Sequence, residues 1–204
     1  MRPPALALTT IAFLGLTASL HASTIVTENF NELTPQLAIT SAGAFTAING
    51  TNVDIVGGAL YGSLCAGPEG GNCIDIDGTG GNPQGQLRSN QLFAAGTFDL
   101  SFDLIGNQRG SNAATTVTFG NYDVEFSLAS SDITSGIVVD ELVTLTSPGY
   151  LEFASDDFSG DDGGDLLDNV VVSTASSVTP EPSALLLLGT GLAGVAGMLR
   201  KRFV

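Results

Sequence analysis

The sequence predicts an all-β fold, an antiparallel sandwich of two sheets, and two observations predict it. First, apolar and polar residues alternate along segments such as 98–104 and 122–128, which is the period of a strand with one face in water. Second, Gly, Asn, Asp and Pro gather between these segments, and no stretch has the periodicity of an amphipathic helix. Many short strands separated by turn residues favour a sandwich of jelly-roll type.

The predicted strands fill a single body, residues 23–174, which is long enough for one hydrophobic core. We expect that core to hold the phenylalanines and the aliphatic residues that share their faces. In chain order the predicted strands are 24–30, 44–48, 53–56, 73–77, 87–93, 98–104, 115–119, 122–128, 137–145, 151–153 and 166–173.

The first 22 residues have the composition of a secretory signal peptide. Arg2 gives a short positive region, residues 5–20 form an uncharged apolar stretch, and Ala22 offers a small residue before the cut. The sequence therefore predicts an N-terminal signal helix, export through the inner membrane, and a mature chain that begins near Ser23.

The last part of the chain has three consecutive segments of different character. Residues 175–182 form a linker that ends in Pro180, Glu181 and Pro182, and these prolines prevent a helix from continuing across it. An apolar stretch follows at 183–199, of which residues 184–199 would reach roughly 24 Å as a helix. The basic tail 200–204 contains Arg200, Lys201 and Arg202, which would hold this end in the cytoplasm. We expect a C-terminal transmembrane helix.

This tail resembles the PEP-CTERM sorting signal of Gram-negative bacteria in the order and spacing of its three segments. The resemblance implies handling by an exosortase, which would cut near Pro-Glu-Pro and release or transfer the protein to the cell surface or the extracellular matrix. Before that step the chain would be anchored in the inner membrane. The alternative is an ordinary C-terminal anchor that is never cut.

The charge of the body excludes one class of partner. All of the acidic residues of the chain except Glu181 lie in the body, whereas its only basic residues are Arg88 and Arg109. A body so negative, with a net charge near roughly −18, repels a phosphate backbone, so nucleic acid is not a partner. We expect Arg109 to pair with a nearby acid.

Cys65 and Cys73 are the only cysteines of a chain with an export signal, so we predict a structural disulfide between them. We expect the only histidine, His21, to be removed with the signal peptide, which would exclude Ser-His-Asp and Cys-His catalysis in the mature protein. A pair of carboxylates that hydrolyses glycans stays open as an alternative. Aromatic side chains that could stack on a sugar are scarce: the chain has no tryptophan, Tyr122 is expected in the core, and Tyr61 and Tyr150 are unassigned.

A second resemblance concerns the body itself. Residues 73–78, 98–109 and 167–170 are similar to segments of extracellular jelly-roll modules with galactose-binding-like or carbohydrate-binding folds. Jelly rolls of this kind often hold a structural cation where the first and last strands meet, which would bring Glu28 near Asp168. Shared fold does not by itself transfer function.

The acidic loop 156–165 suggests a second place for a cation. Carboxylate oxygens on a glycine-rich loop suit calcium, although the spacing is not that of an EF-hand, and a solvated acidic turn explains the loop equally well. No cofactor is therefore certain, and structural calcium is a hypothesis. Its candidate ligands are Glu28, Asp157, Asp161, Asp165 and Asp168.

These observations predict a non-enzymatic, exported protein of the cell surface or extracellular matrix, with a structural or glycan-interacting role. Its expected partners are the exosortase, the inner membrane during transit, and extracellular polysaccharide. The first alternative is a calcium-dependent carbohydrate-binding module, and the second is a glycan hydrolase with two carboxylates.

Overall fold

Alternating apolar residues build two antiparallel sheets, which we describe from a computed structural model covering residues 22–65, 71–80, 84–132, 137–156, 163–175 and 189–191. In chain order the strands are β1 (Thr24–Glu28), β2 (Gln36–Ile39), β3 (Ser41–Ala42), β4 (Phe45–Ala47), β5 (Val53–Val56), β6 (Cys73–Asp75), β7 (Gln86–Ser89), β8 (Gly96–Ile105), β9 (Ala113–Phe119), β10 (Tyr122–Leu128), β11 (Ile137–Leu145), β12 (Leu151–Ser155) and β13 (Leu166–Thr174).

Sheet A has the order β11-β8-β13-β6-β5-β2, and β1 pairs with β13 beside this path. Sheet B has the order β10-β9-β12-β7-β4-β3. The strand pairs are antiparallel in both sheets, and residues 22–175 form one compact unit. The predicted all-β, two-sheet fold of jelly-roll type is confirmed.

Each predicted strand overlaps one observed strand, and the bounds of β5, β10 and β11 are those predicted. The pattern missed β2 and β3. Strand β3 has only two residues, and β2 contains Ala38 at φ 54°, where the register of its pairing with β5 shifts. A residue in the left-handed region interrupts the alternation on which sequence patterns depend.

The main core lies between the sheets and is rich in phenylalanine. Phe102 and Phe153 contact each other edge to face with ring centroids 5.2 Å apart, and Phe45 contacts Phe153 at 6.0 Å. Tyr122 packs against this core, half-buried, as the sequence predicted. Burial of each aromatic ring contributes roughly 2–3 kcal/mol to stability.

A second, smaller cluster lies on the outer face of sheet A. Leu104 and Leu167 belong to the main core, so their neighbours Ile105 and Leu166 point the other way, because successive residues of a strand face opposite sides. Around those two residues pack Val56, Leu64, Cys65 and Cys73. The segment between β5 and β6 therefore covers part of this face.

Several predictions concern residues outside the described ranges. These are the signal helix, the Pro180-Glu181-Pro182 motif, the basic tail, and most of the predicted transmembrane segment, of which residues 189–191 are helical. In the part of the chain that the structure describes, no helix combines the length and the apolar character needed to cross a bilayer.

Candidate functional site

A polar pocket of about 470 Å³ lies between the loop that follows β8 and the loop that follows β10. The described side chains that line it carry amide and hydroxyl groups, and none of them is charged. Asn112 and Ser131 are exposed, and Ser130 is nearly buried. The lining residues are Gln108, Gly110, Asn112, Ala129, Ser130 and Ser131.

Asn107 joins the two loops from beneath. Its side chain is buried, and its Oδ1 accepts hydrogen bonds from Ser130 Oγ at 2.7 Å and from the backbone N–H of Arg109 at 3.0 Å. Its Nδ2 donates to Gly163 O at 2.8 Å and to Ser111 Oγ at 3.1 Å. One amide thus satisfies four groups, so the pocket floor is fixed before any ligand arrives.

Gln108 forms a wall of the pocket in a strained backbone conformation. Its φ is 58°, which is uncommon for a residue other than glycine. Two hydrogen bonds hold it there: its N–H donates to Ser130 O at 2.9 Å, and its Nε2 donates to Leu64 O at 3.0 Å. The pocket is therefore tied to the segment between β5 and β6.

Asp75 lies next to this network with its side chain wholly buried. Its Oδ1 accepts hydrogen bonds from the N–H groups of Gly164 at 2.9 Å and Asp77 at 3.2 Å. Its Oδ2 lies 2.9 Å from Arg109 Nη2. Within the described residues Oδ2 accepts no hydrogen bond, so this contact is an ion pair without hydrogen-bond geometry. The prediction that Arg109 pairs with an acid is confirmed.

Burial raises the pKa of Asp75 well above the ordinary range of an aspartate. The positive charge of Arg109 and the two backbone N–H groups oppose this shift, whereas the neighbouring carboxylate of Asp54 adds to it. Desolvation outweighs the ion pair because Arg109 is a quarter exposed and its charge is partly screened by water.

The other buried carboxylates hold loops in place. Asp54 accepts hydrogen bonds from Ala38 N at 2.7 Å and from Thr79 Oγ1 at 2.6 Å, and so stabilises the irregular β2. Asp165 Oδ2 accepts one from Thr115 Oγ1 at 2.9 Å, which links the start of β13 to β9 in the other sheet. Hydrogen bonds of this kind stabilise the charged form of a buried carboxylate.

The predicted calcium ligands lie in different surroundings. Glu28 accepts hydrogen bonds from Phe30 N and Ala44 N, each at 2.9 Å, whereas Asp168 Oδ1 accepts one from Asn169 N at 2.7 Å. Strands β1 and β13 do pair, but Glu28 is opposite Val170. Asp157 and Asp161 lie outside the described residues. Among the described residues no three metal-ligating side chains form a group, and calcium binding stays a prediction.

Cys65 and Cys73 form the predicted disulfide, with their Cα atoms 5.7 Å apart. The bridge joins the segment after β5 to the first residue of β6, and both cysteines belong to the cluster on the outer face of sheet A.

Tyr61 is the exposed aromatic residue of this region. Its side chain is 52% exposed, and Arg109 lies over its ring at 5.6 Å from the centroid. The sequence left Tyr61 unassigned and did not single out Asn112 or Ser130. A run of amide and hydroxyl residues after β8 and β10 was the available signal, but composition does not show which loops meet.

Fold and site define a class: a disulfide-bonded, acidic β-sandwich with a polar pocket at one end. The sequence matches the model of the PEP-CTERM protein-sorting motif over residues 178–202, as the resemblance of the tail implied. The chain therefore carries an export and membrane-sorting signal. None of the curated proteins matches the sequence significantly.

Several solved structures have a similar shape. The K3 cleaved adhesin domain of Lys-gingipain from Porphyromonas gingivalis W83 is 14% identical, with a TM-score of 0.45, and the match covers 76% of this chain and all of that one. The CBM22-1 xylan-binding domain of Paenibacillus barcinonensis Xyn10C is 12% identical, with a TM-score of 0.45 and coverage of 79% and 100%. A family 35 carbohydrate-binding module from Clostridium thermocellum is 14% identical, with a TM-score of 0.40 and coverage of 70% and 99%. Likeness at this level says nothing about activity.

Proposed function

We propose that this chain is an exosortase-sorted protein whose body acts at the cell surface or in the extracellular matrix as a non-enzymatic, glycan-interacting component. The sorting motif at 178–202 carries the proposal, because a chain with such a signal is directed out of the cytoplasm. The disulfide between Cys65 and Cys73 supports export, since disulfides persist in oxidising compartments.

The pocket supports a glycan as the partner. Asn112, Ser131 and Gln108 present uncharged donors and acceptors, which are the groups that match sugar hydroxyls. The acidic body repels anionic polymers over the range of electrostatic forces. We therefore expect neutral polysaccharide rather than uronate-rich or sulfated chains.

Two measurements test this proposal. The first is the mass of the mature C-terminal peptide of the protein isolated from its native host. A terminus near Pro180 supports processing by an exosortase, whereas a chain that ends at Val204 in the inner membrane supports a permanent anchor and contradicts it.

The second measurement is binding of the full chain to an array of neutral and anionic polysaccharides, with the variant Asn112→Ala beside the wild type. We expect binding to neutral polymers that the substitution weakens. Asn90→Ala is the matched control, because Asn90 is also an exposed asparagine but does not line the pocket. Release of reducing sugar from any polymer on the array would instead favour the hydrolase alternative.

Calcium-dependent binding is the second candidate function. Asp165 and Asp168 are buried, and burial of a carboxylate requires compensation by hydrogen bonds, by a positive charge or by a metal ion. If calcium supplies part of it, a chelator lowers the melting temperature and the affinity for glycan together. An unchanged melting temperature after chelation would remove this candidate.

A further inference from the structure

Tyr61 has two features that do not favour stability, a strained backbone and an exposed ring. Its backbone has φ 55°, in the left-handed region, where a bulky side chain is a genuine outlier. Its ring is 52% exposed, so little apolar surface is removed from water. Ligand sites are enriched in residues whose backbone strain is not offset by burial.

The turn that holds Tyr61 is well ordered by its own hydrogen bonds. Gly57 and Leu60 exchange backbone hydrogen bonds at 2.8 and 2.9 Å, and Leu64 N donates to Tyr61 O at 2.9 Å. At Gly62 a Cβ atom would lie 2.2 Å from Gly58 O, so the turn is too tight for a larger residue there. The ring thus projects from a compact turn.

Arg109 braces the ring from one side. Its guanidinium lies 5.6 Å from the ring centroid, within the range of a cation–π contact, and the same group pairs with the buried carboxylate of Asp75 at 2.9 Å. An exposed tyrosine is therefore fixed through an arginine to a buried acid, and this lowers the entropy that the ring would lose when a ligand stacks on it.

The ring is also connected to the polar pocket. Gln108 and Gly110, which precede and follow Arg109, line the pocket, and Gln108 Nε2 donates to Leu64 O in the turn that starts at Tyr61. One network of contacts thus links the aromatic surface of Tyr61 to the uncharged hydrogen-bonding groups of the pocket. A saccharide ring offers the same pair of features, an apolar face and a rim of hydroxyls.

We propose that Tyr61 is a stacking platform for a sugar ring, continuous with the pocket formed by Gln108, Asn112 and Ser131. The assignment rests on the proposed glycan-interacting function and names the residue that gives it affinity. Aromatic side chains are typical anchors at binding sites because they supply a large, rigid contact area.

The test uses the full chain and a panel of soluble neutral oligosaccharides built from glucose, xylose and mannose. The chain has no tryptophan and three tyrosines, so tyrosine fluorescence and calorimetry together report binding. For the oligosaccharide that binds, we expect Tyr61→Ala to weaken affinity about 10-fold. Tyr61→Phe keeps the ring and retains affinity within about two-fold, but the fluorescence change is lost.

Two further variants separate this role from a structural one. Tyr150→Ala is the matched control. Arg88 lies over the ring of Tyr150 at 4.6 Å from the centroid, but Tyr150 is not next to the pocket loops. We expect this variant to bind the oligosaccharide with the affinity of the wild type. Tyr61→Asn tolerates the left-handed backbone, so its melting temperature equals or exceeds that of the wild type while affinity falls as in Tyr61→Ala.

The outcomes keep the two proposals apart. If Tyr61→Ala binds within two-fold of the wild type while Asn112→Ala loses affinity, the platform is overturned and the glycan function stands. If the wild type binds no saccharide of the panel or the polysaccharide array, both are overturned.

Discussion

The two ends of strand β8 are built from opposite chemistry. Near its start, Phe93, Phe98 and Phe119 form a buried cluster with ring centroids 4.9 to 5.6 Å apart. Just beyond its other end lies the polar network of Asn107 and Asp75 beneath the pocket. The strand has ten residues, so the two ends are roughly 30 Å apart.

At the aromatic end of β8, hydrogen bonds also join the first and last strands of the body. Ser23 N donates to Thr174 Oγ1 and Thr174 N donates to Ser23 O, each at 2.9 Å. Apolar contact is non-directional and tolerates small shifts, whereas every bond of the polar network needs its own partner and angle. Non-directional apolar contact therefore stabilises one end, whereas a directional hydrogen-bond network fixes the other.

Loss of an aromatic ring gives the largest effect that we expect. Phe119→Ala removes a fully buried ring from the aromatic cluster and leaves a cavity, so it lowers the free energy of unfolding by about 4 kcal/mol. Denaturant unfolding measures this loss. Leu92→Ala is the control, because that side chain is 47% exposed and its removal changes stability by no more than about 0.5 kcal/mol. A loss below about 1 kcal/mol for Phe119→Ala would show that the aromatic end does not dominate stability.

Asn107→Ala gives the second largest loss of stability and acts at the polar end. It removes the hydrogen bonds that the Asn107 side chain makes with Ser130 Oγ, Arg109 N and Gly163 O, which costs about 3 kcal/mol. We expect hydrogen exchange to accelerate at the amides of Gln108 and Gly110 and to stay slow in the aromatic end, since local opening follows local contacts.

The exposed Asn112→Ala serves as the control for this change, with an effect within about 0.5 kcal/mol. Equal acceleration of exchange at both ends in Asn107→Ala would mean that the two regions unfold as one unit, and the comparison would fail.

Asp75→Asn gives the smallest effect and sharpens the electrostatic side of the comparison. Because burial raises the pKa of Asp75 in the folded protein, the folded state binds more protons than the unfolded state between about pH 4 and the raised pKa. Stability from this group is therefore highest at acidic pH and falls as the pH rises through that window. The variant has no ionisable group at position 75 and lacks this contribution. Its melting temperature therefore declines less steeply with rising pH than that of the wild type.

Net charge is controlled in that experiment by Asp123→Asn, which removes one exposed carboxylate. Melting temperatures measured from about pH 5 to 8 compare the three proteins. If Asp75→Asn and Asp123→Asn have the same pH profile, repulsion across the acidic body, and not burial of Asp75, governs the dependence.

Local pattern was enough to predict most strands, because residue alternation is a property of neighbours in the chain. The strand 53–56 was predicted with the bounds of β5, and the pairing of Cys65 with Cys73 followed from the absence of any other cysteine. Strand β3 was not predicted because it has only two residues, and β2 was not predicted because Ala38 interrupts the alternation through its positive φ. For the pocket, residues 108 and 130 come from different loops that meet only in the folded chain.

The all-β class, the disulfide and the sorting motif at 178–202 could be predicted from the residues alone, since each depends on short-range order or on counting residues. It takes the folded chain to bring Arg109 to Asp75 and over the ring of Tyr61, and to let Asn107 join the loops after β8 and β10. The two kinds of feature differ in range: strand periodicity depends on adjacent residues, whereas a pocket forms when packing brings distant residues within hydrogen-bond distance.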